Sequence, residues 1–375
     1  MKILLTGGGT GGHFYPLIAI AEEINELASK QKIIDVKLYY MSDKPYDKRM
    51  LFENRITYVQ IPAGKMRLYF SIRNFFDFFT TAVGAFFGFL SMFFIYPDVV
   101  ISKGGYAAFP AVLAARLLRI PVIVHESDSS PGRLNLWTAK FAKYIAVSWP
   151  EGGELFPKEK TALSGQPIRK AILHGSPEGA YDFFKLSSNL PVIFVYCGSQ
   201  GAEIINNAIM QILPDLLSRY QVVHQTGEKL YNDVLGSSKL VLENSKNIER
   251  YKPMPYLNNL AVRMASGIAT IVIGRAGSSI FEIASWGVPS IIIPITNSNG
   301  DHQKKNAFSY ARSGACEVIE ESNLTSHVLV SEIDKLIDSK ERLAKMKEQA
   351  LAFASPDAAS KIAGKAIEIA LSHES

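Results

Sequence analysis

A hydrophobic strand, a glycine-rich turn and a helix follow one another twice, in opposite halves of the chain, and this repeat constrains the fold more than any other feature. The first copy reads Lys2-Ile3-Leu4-Leu5-Thr6, then Gly7-Gly8-Gly9-Thr10-Gly11-Gly12-His13, then a helix predicted from Pro16 to Ser29. The second reads Val192–Cys197, then Gly198-Ser199-Gln200-Gly201-Ala202, then a helix from about Glu203 to Leu217. Turns without side chains let an anion reach the backbone, and the helix behind offers unpaired N–H groups carrying roughly half a positive charge. Two such units imply two phosphate-bearing ligands facing each other.

Short apolar runs alternate with helical patterns throughout. In the N-terminal half, strands are expected at Val36–Met41, Ile56–Ile61, Asp98–Ser102, Pro121–His125 and Tyr144–Ser148. A second series runs through Gln221–Gln225, Ile268–Ile273, Pro289–Ile295 and Ala315–Ile319. Such alternation predicts parallel sheets covered on both faces. A length of 375 residues exceeds what one core usually supports, so two domains are expected. The fold class is therefore α/β: two Rossmann-like, doubly wound domains facing across a cleft. The boundary is placed near Pro167, giving domains 1–167 and 168–355, and residues 356–375 form a C-terminal helix that could pack back on the N-terminal domain.

The only cysteines, Cys197 and Cys316, fit neither a metal-ligand nor a Cys-x-x-Cys pattern, which points to a reducing, cytosolic compartment. A strand beginning at the second residue leaves no room for a secretion signal. The net charge is +5, with Lys65, Arg67, Arg73, Arg116, Arg119, Lys140 and Lys143 around the most aromatic segment. No nucleic-acid motif or basic helix accompanies these charges, so no nucleic-acid partner is expected.

Residues 78–96 carry no charge and meet the length rule for a membrane span of roughly 20 residues. They lie between two strands assigned to one sheet, however, and a single crossing would put those strands on opposite sides of a bilayer. At about 100° per residue, Ile72, Phe76, Phe79, Val83, Phe87, Leu90 and Phe94 form one stripe, and Phe75, Phe78, Ala82, Phe86, Phe89 and Phe93 another. Arg73, Asp77, Thr80, Thr81, Gly84, Gly88 and Ser91 occupy the opposite side. One aromatic stripe is expected to dock on the sheet. The surplus stripe is core, a subunit contact, or, as preferred, a seat on an anionic membrane surface helped by the neighbouring Lys and Arg.

Several loops at strand ends carry candidate chemistry. Gly7, Gly9 and Gly12 satisfy Gly-x-Gly-x-x-Gly, but the acidic residue a dinucleotide site needs could only be Asp43, later than usual. His13 stands just beyond the last glycine, where a neutral imidazole can remove a proton from a sugar hydroxyl or serve a structural role. Lys103-Gly104-Gly105-Tyr106 and His125-Glu126-Ser127-Asp128 end two further strands. In the second half, Ser278 and Ser279 could cap a helix or bind phosphate oxygens. Glu282 could complement the helix dipole or accept ribose hydroxyls. The amides of Gln303 and Asn306 suit sugar hydroxyls, and Arg169 and Arg275 could pair with phosphate. No Asp-x-Asp metal motif occurs, so helix ends and hydrogen bonds are expected to stabilise a departing pyrophosphate.

Taken together, Gly7–His13, Asp98–Tyr106, His125–Glu126, Gly165–Arg169, Gly198–Ala202, His224–Gly227, Arg275–Glu282 and Asp301–Ala307 resemble, in order, the motifs of the MurG family of UDP-N-acetylglucosamine transferases. The resemblance implies a GT-B fold with lipid acceptor and membrane contact on the N-terminal domain and UDP-sugar mostly on the C-terminal one. The implied reaction is an inverting transfer of GlcNAc from UDP-GlcNAc to the muramyl C4 hydroxyl of an undecaprenyl-linked muramoylpentapeptide. It implies a peripheral protein on the cytoplasmic membrane face, with no tightly bound cofactor and divalent-cation stimulation left open. By motif, His13 is the first candidate base and Glu126 the second. Thr10, Gly11, Gly12, Asp128, Arg169, Ser199, Leu257, Ser278, Ser279, Glu282 and Gln303 would bind donor or substrate. Gly104, Gly105 and Tyr106 would meet the acceptor diphosphate, and Phe75, Phe78, Phe86, Phe89 and Phe93 the membrane.

Three departures stand out: Ser127-Asp128 replaces the family's Gln-Asn, Gly165-Gln166-Pro167 replaces Gly-Asn-Pro, and Arg275–Glu282 is one residue shorter. The competing readings are a nicotinamide-dependent dehydrogenase, a sugar-nucleotide epimerase on the same fold and a non-enzymatic membrane adaptor.

Overall fold

The computed structural model describes residues 1–8, 10–65, 72–198 and 201–372, with side chains for all of these except 72–74 and 299. The chain forms two compact units, Met1–Arg169 with Ser355–Ser375, and Lys170–Ala354.

The first unit is a seven-stranded parallel sheet in the order β3-β2-β1-β4-β5-β6-β7. Its strands are β1 Lys2–Thr6, β2 Lys37–Ser42, β3 Ile56–Gln60, β4 Val99–Ser102, β5 Val122–Glu126, β6 Tyr144–Val147 and β7 Thr161–Leu163. Its helices are α1 Gly11–Lys30, α2 Lys48–Glu53, α3 Ile72–Ile95, α4 Phe109–Leu117, α5 Arg133–Ala139 and α6 Pro150–Gly153. Successive strand residues point to opposite faces. Ile3, Leu5, Val99 and Ile101 accordingly pack with Leu17 and Ile24 of α1, while Leu4 and Val100 pack with Met92 of α3 and Ala111 of α4.

The second unit is a six-stranded parallel sheet in the order β10-β9-β8-β11-β12-β13. Its strands are β8 Val192–Tyr196, β9 Gln221–Gln225, β10 Tyr251–Met254, β11 Ala269–Gly274, β12 Ser290–Ile292 and β13 Cys316–Val318. Its helices are α7 Ala180–Phe184, α8 Glu203–Arg219, α9 Tyr231–Val241, α10 Asn259–Ile268, α11 Ser279–Trp286, α12 His302–Arg312, α13 Ser326–Ile337 and α14 Lys340–Phe353. The last helix, α15 Ala358–Leu371, returns to the first unit, where Ile362, Ala363, Ala366, Ile369 and Ala370 join the α1 core.

In each sheet the strand order reverses once, between β1 and β4 and between β8 and β11. Ligands of open α/β sheets bind beyond the carboxyl ends of the strands at such a switch point. The residues that directly follow β1 and β8, Gly7-Gly8 and Cys197-Gly198, begin there.

Three expectations change. Helix α1 begins at Gly11 and contains Pro16, so His13 belongs to its first turn. Strands β7 and β10 are additional; both are sheet edges, and β10 includes Pro253, whose missing N–H an edge tolerates.

Helix α3 docks by the side opposite to the expected one. Gly84, Gly88 and Met92 are buried, whereas Phe75, Phe78, Phe79, Phe86, Phe87, Phe93 and Phe94 are exposed. Only Phe89 among the aromatic residues of the second stripe is half-buried, against the core. The reason is steric: a Cβ on Gly84 would stand 1.8 Å from the Pro62 carbonyl oxygen, and one on Gly88 would lie 3.4 Å from Pro110 Cβ. Small residues let α3 approach α4 and the 61–65 loop closely, leaving most of the Phe side chains of both stripes exposed. Phe75–Ile95 is long and apolar enough to cross a membrane. It nevertheless joins β3 and β4, which lie in one sheet that a single crossing would divide.

Candidate active site

In the first unit, three loops converge beyond β1, β4 and β5. Thr10 caps α1 in extended conformation, and its hydroxyl lies 3.1 Å from His13 Nδ1. When Thr10 accepts the Nδ1 proton, Nε2 carries the lone pair a base requires. Gly104 and Gly105 have φ of +78° and +80°, a left-handed backbone that favours glycine. A Cβ on Gly105 would stand 3.1 Å from the Gly8 carbonyl oxygen and 3.6 Å from His13 Nε2, so the two glycine turns and His13 form one surface. Gly11 is buried under Tyr15 and Tyr46, whereas Gly12 is half-buried beside His13.

Tyr106 donates its hydroxyl to Asp43 at 2.9 Å, and burial with that bond pushes its pKa up to about 12. Asp43 is thus engaged within the protein, which weakens the dinucleotide reading.

Glu126 is buried and both its oxygens accept bonds: Oε1 from Asp128 N at 3.0 Å, Oε2 from Gly132 N and Asn135 Nδ2, each at 2.9 Å. The carboxylate clamps the loop leading into α5. Burial, then the Asp128 charge, raise its pKa. Fully buried Lys103 opposes that rise; its own pKa is pushed down to about 8 by burial, against the pull of Glu126 and Asp128. His125 is held well below the usual imidazole range by burial and by Lys103, and its Nε2 lies 3.3 Å from the Gly165 carbonyl oxygen and 3.2 Å from Ser148 Oγ. Ser148 in turn donates to Gln166 at 2.9 Å, giving the unexpected glutamine a structural task. Arg169 is buried with its guanidinium 4.0 Å from the Tyr15 ring centre.

In the second unit, Ser199 lies outside the described residues. Gly201 has φ +69°, and a Cβ there would stand 1.9 Å from the Thr226 carbonyl oxygen. Behind it, His224 bridges Asn206 at 3.0 Å and Tyr251 at 2.9 Å; burial pushes its pKa down to about 3. Leu257 is buried.

After β11, Ser278 precedes α11 without a side-chain capping bond, and Ser279 Oγ lies 3.4 Å from the Arg275 carbonyl oxygen. Arg275 itself is committed to the fold, pairing with Glu321 at 2.6 Å and donating to the Ile293 carbonyl at 3.1 Å. Gln303 Oε1 accepts from Ile295 N at 3.2 Å, which orients its amide. Glu282 is half-buried and accepts the Tyr196 hydroxyl at 2.6 Å.

The structure therefore gathers Thr10, Gly12, His13, Gly104, Gly105 and Tyr106 at one switch point, with Glu126 and Asp128 one strand further along. Ser278, Ser279 and Glu282 gather at the other. Three contributors carried no role in the sequence reading: Lys103, Asn135 and Tyr196. Lys103 stood inside a quoted motif, whereas nothing local distinguishes Asn135 from any helix residue.

Residues 3–147 match the glycosyltransferase family 28 N-terminal domain and residues 192–362 its C-terminal domain. A Treponema denticola UDP-N-acetylglucosamine--N-acetylmuramyl-(pentapeptide) pyrophosphoryl-undecaprenol N-acetylglucosamine transferase is 33% identical over 94% of this chain and 93% of its own. The Halothermothrix orenii protein of the same name is 35% identical over 95% of each.

The chain belongs to glycosyltransferase family 28.

Among solved structures, Acinetobacter baumannii MurG superposes with a TM-score of 0.72 at 25% identity, covering 98% of this chain and 99% of that one. A UDP-GlcNAc 2-epimerase from Neisseria meningitidis reaches a TM-score of 0.68 at 16% identity over 98% of this chain and 100% of its own, a likeness of fold alone. The two parallel α/β units of this family 28 chain are of the GT-B class. Among the described residues, no three His, Cys, Asp or Glu side chains gather as metal ligands.

Proposed function

We propose that this chain transfers N-acetylglucosamine from UDP-N-acetylglucosamine to the C4 hydroxyl of undecaprenyl-diphospho-muramoylpentapeptide, the lipid I to lipid II step of peptidoglycan synthesis. The observation that carries this is the near full-length identity of 33–35% with transferases of that name. In the proposed displacement, the C4 oxygen bonds to the anomeric carbon as that carbon's bond to the diphosphate breaks. The hydroxyl proton passes to His13, and UDP leaves with the bonding pair.

His13 is preferred over Glu126 as base, because Glu126 is buried and holds three hydrogen bonds, whereas His13 is half-buried beside Gly105. In this reading the turns at Thr10–Gly12 and Gly104–Tyr106 take the acceptor diphosphate. Ser278, Ser279, Glu282, Gln303 and Leu257, with Ser199, take the donor, and Arg169 and Asp128 border the substrates. Phosphate charge is met by helix N-termini and turn N–H groups.

The chain would work at the cytoplasmic membrane face, held peripherally by the exposed Phe side chains of α3. Phe75, Phe78, Phe86 and Phe93 serve this reading directly, and half-buried Phe89 supports them. Exposed Lys140 and Lys143 lie in the same unit.

The deciding experiment supplies labelled UDP-GlcNAc with the muramyl-pentapeptide lipid. Disaccharide-lipid and UDP are expected; release of an altered UDP-sugar without acceptor would instead establish the epimerase reading. Repeating the assay with EDTA and with added Mg²⁺ measures any dependence on a divalent cation.

A further inference from the structure

We infer that Tyr196 is a positioning residue for nucleotide recognition, its hydroxyl holding the Glu282 carboxylate in the orientation that receives the ribose. The inference rests on the reading of Glu282 as the ribose ligand. Tyr196 ends β8 and is buried, and its ring lies 5.2 Å from Phe194 and 5.3 Å from Trp286 between ring centres. Glu282 and Trp286 are four residues apart in α11 and so share one helix face. That face grips Tyr196 twice: Trp286 meets the ring and Glu282 meets the hydroxyl at 2.6 Å.

A phenylalanine would fill the same space and keep both ring contacts. The hydroxyl therefore adds little to packing, and a buried hydroxyl needs a partner. What it contributes is order at a carboxylate. A glutamate in the first turn of a helix samples several rotamers, and fixing it before the ligand arrives removes that loss from binding. A carboxylate has about four lone-pair sites, and the bond from Tyr196 falls on one of its two oxygens, Oε2. The strand thereby ties the glycine turn that follows β8 to the helix that follows β11, both at the same switch point of the sheet.

The test compares UDP with 2′,3′-dideoxyuridine diphosphate by titration calorimetry on the full-length wild type, Tyr196→Phe and Glu282→Gln. Wild type is expected to prefer UDP, and Tyr196→Phe to bind UDP roughly tenfold more weakly, the scale of one hydrogen bond to a charged group, while its affinity for the dideoxy analogue stays within about twofold. A general packing defect would weaken both ligands together, and that result would overturn the inference. So would an unchanged preference in Tyr196→Phe when Glu282→Gln has lost it. Should Glu282→Gln keep the full preference, the ribose assignment of Glu282 itself fails. Under saturating lipid acceptor, Tyr196→Phe should raise the donor KM and leave kcat within about twofold, because the hydroxyl acts on ground-state and transition-state binding alike.

Discussion

Two glycines one turn apart on α3 make opposite predictions for the same substitution. Gly84→Ala places a methyl 1.8 Å from the Pro62 carbonyl oxygen, whereas Gly88→Ala places it 3.4 Å from Pro110 Cβ and from the Pro110 carbonyl oxygen. Carbon and oxygen need about 3.2 Å, so the first methyl forces α3 or the 61–65 loop to shift by more than an ångström, and the second fits with little adjustment. Both changes gain roughly 1 kcal/mol of helix propensity, a quantity that cancels in their comparison. What remains is overpacking at residue 84, about 1–3 kcal/mol. Gly88→Ala should therefore be neutral to mildly stabilising, and Gly84→Ala should melt several degrees below it, at about 2–4 °C per kcal/mol for a domain of this size. Amide hydrogen exchange should localise the loss to α3 and α4. Equal melting temperatures and equal exchange in the two variants would refute docking through the glycine face. A large folding defect on replacing Phe78 or Phe86 by Ser would do so too, since these side chains are 70% and 61% exposed.

His13→Ala should lower kcat by about 10²-fold or more with the donor KM little changed, measured by release of UDP with lipid acceptor; turnover at the wild-type rate would remove His13 as base. Phe78→Ser with Phe86→Ser should weaken flotation with anionic liposomes at low salt while leaving the melting temperature within a degree or two, and undiminished flotation would move membrane contact elsewhere. Stability should fall with acid through His224, whose folded pKa of about 3 lies below the ordinary imidazole value of 6.5. The unfolded chain takes up this proton first. The contribution is complete above about pH 6.5 and declines by at most about 1.4 kcal/mol per pH unit towards pH 3. His224→Gln should flatten the dependence of unfolding free energy on pH across that window, and an unchanged slope would contradict the buried neutral imidazole.

The central strands were legible because a parallel sheet buried on both sides is written as continuous apolar runs: Val99–Ser102 and Val192–Tyr196 are entirely buried. The edge strands β3 and β13 were legible too, but the edges β7 and β10 were not. Thr161–Leu163 is short and partly exposed, and Tyr251–Met254 contains a proline that argues against a strand unless the strand is an edge. The helical run was expected from Pro16, whereas five helical residues precede that proline, so the histidine read at the mouth of the turn lies within the helix's first turn.

The face of α3 was misassigned because hydrophobicity served as the docking signal. The informative pattern was the four-residue spacing of Gly84 and Gly88, which marks where a helix lets its neighbour come close. Of the candidate site, the glycine turns and His13 could be read from local spacing. The commitments of Glu126 and Arg275 could not. Gly132 and Asn135 for the first, and Glu321 for the second, are brought near only by the folded loops. Tyr196 belonged to a strand whose neighbours are simply apolar, so its hydroxyl acquires meaning only once β11 and α11 lie beside β8.

Because α15 completes the packing around α1, the amino-terminal lobe is first to be synthesised and last to be finished. While a ribosome makes the chain, Ile18, Ile24 and their neighbours wait with a greasy flank uncovered until Ile362, Ala366 and Ile369 emerge. Loss of the chain from Ala358 onward would thus leave the second unit with its own core whole and damage the first, whose other elements all precede it.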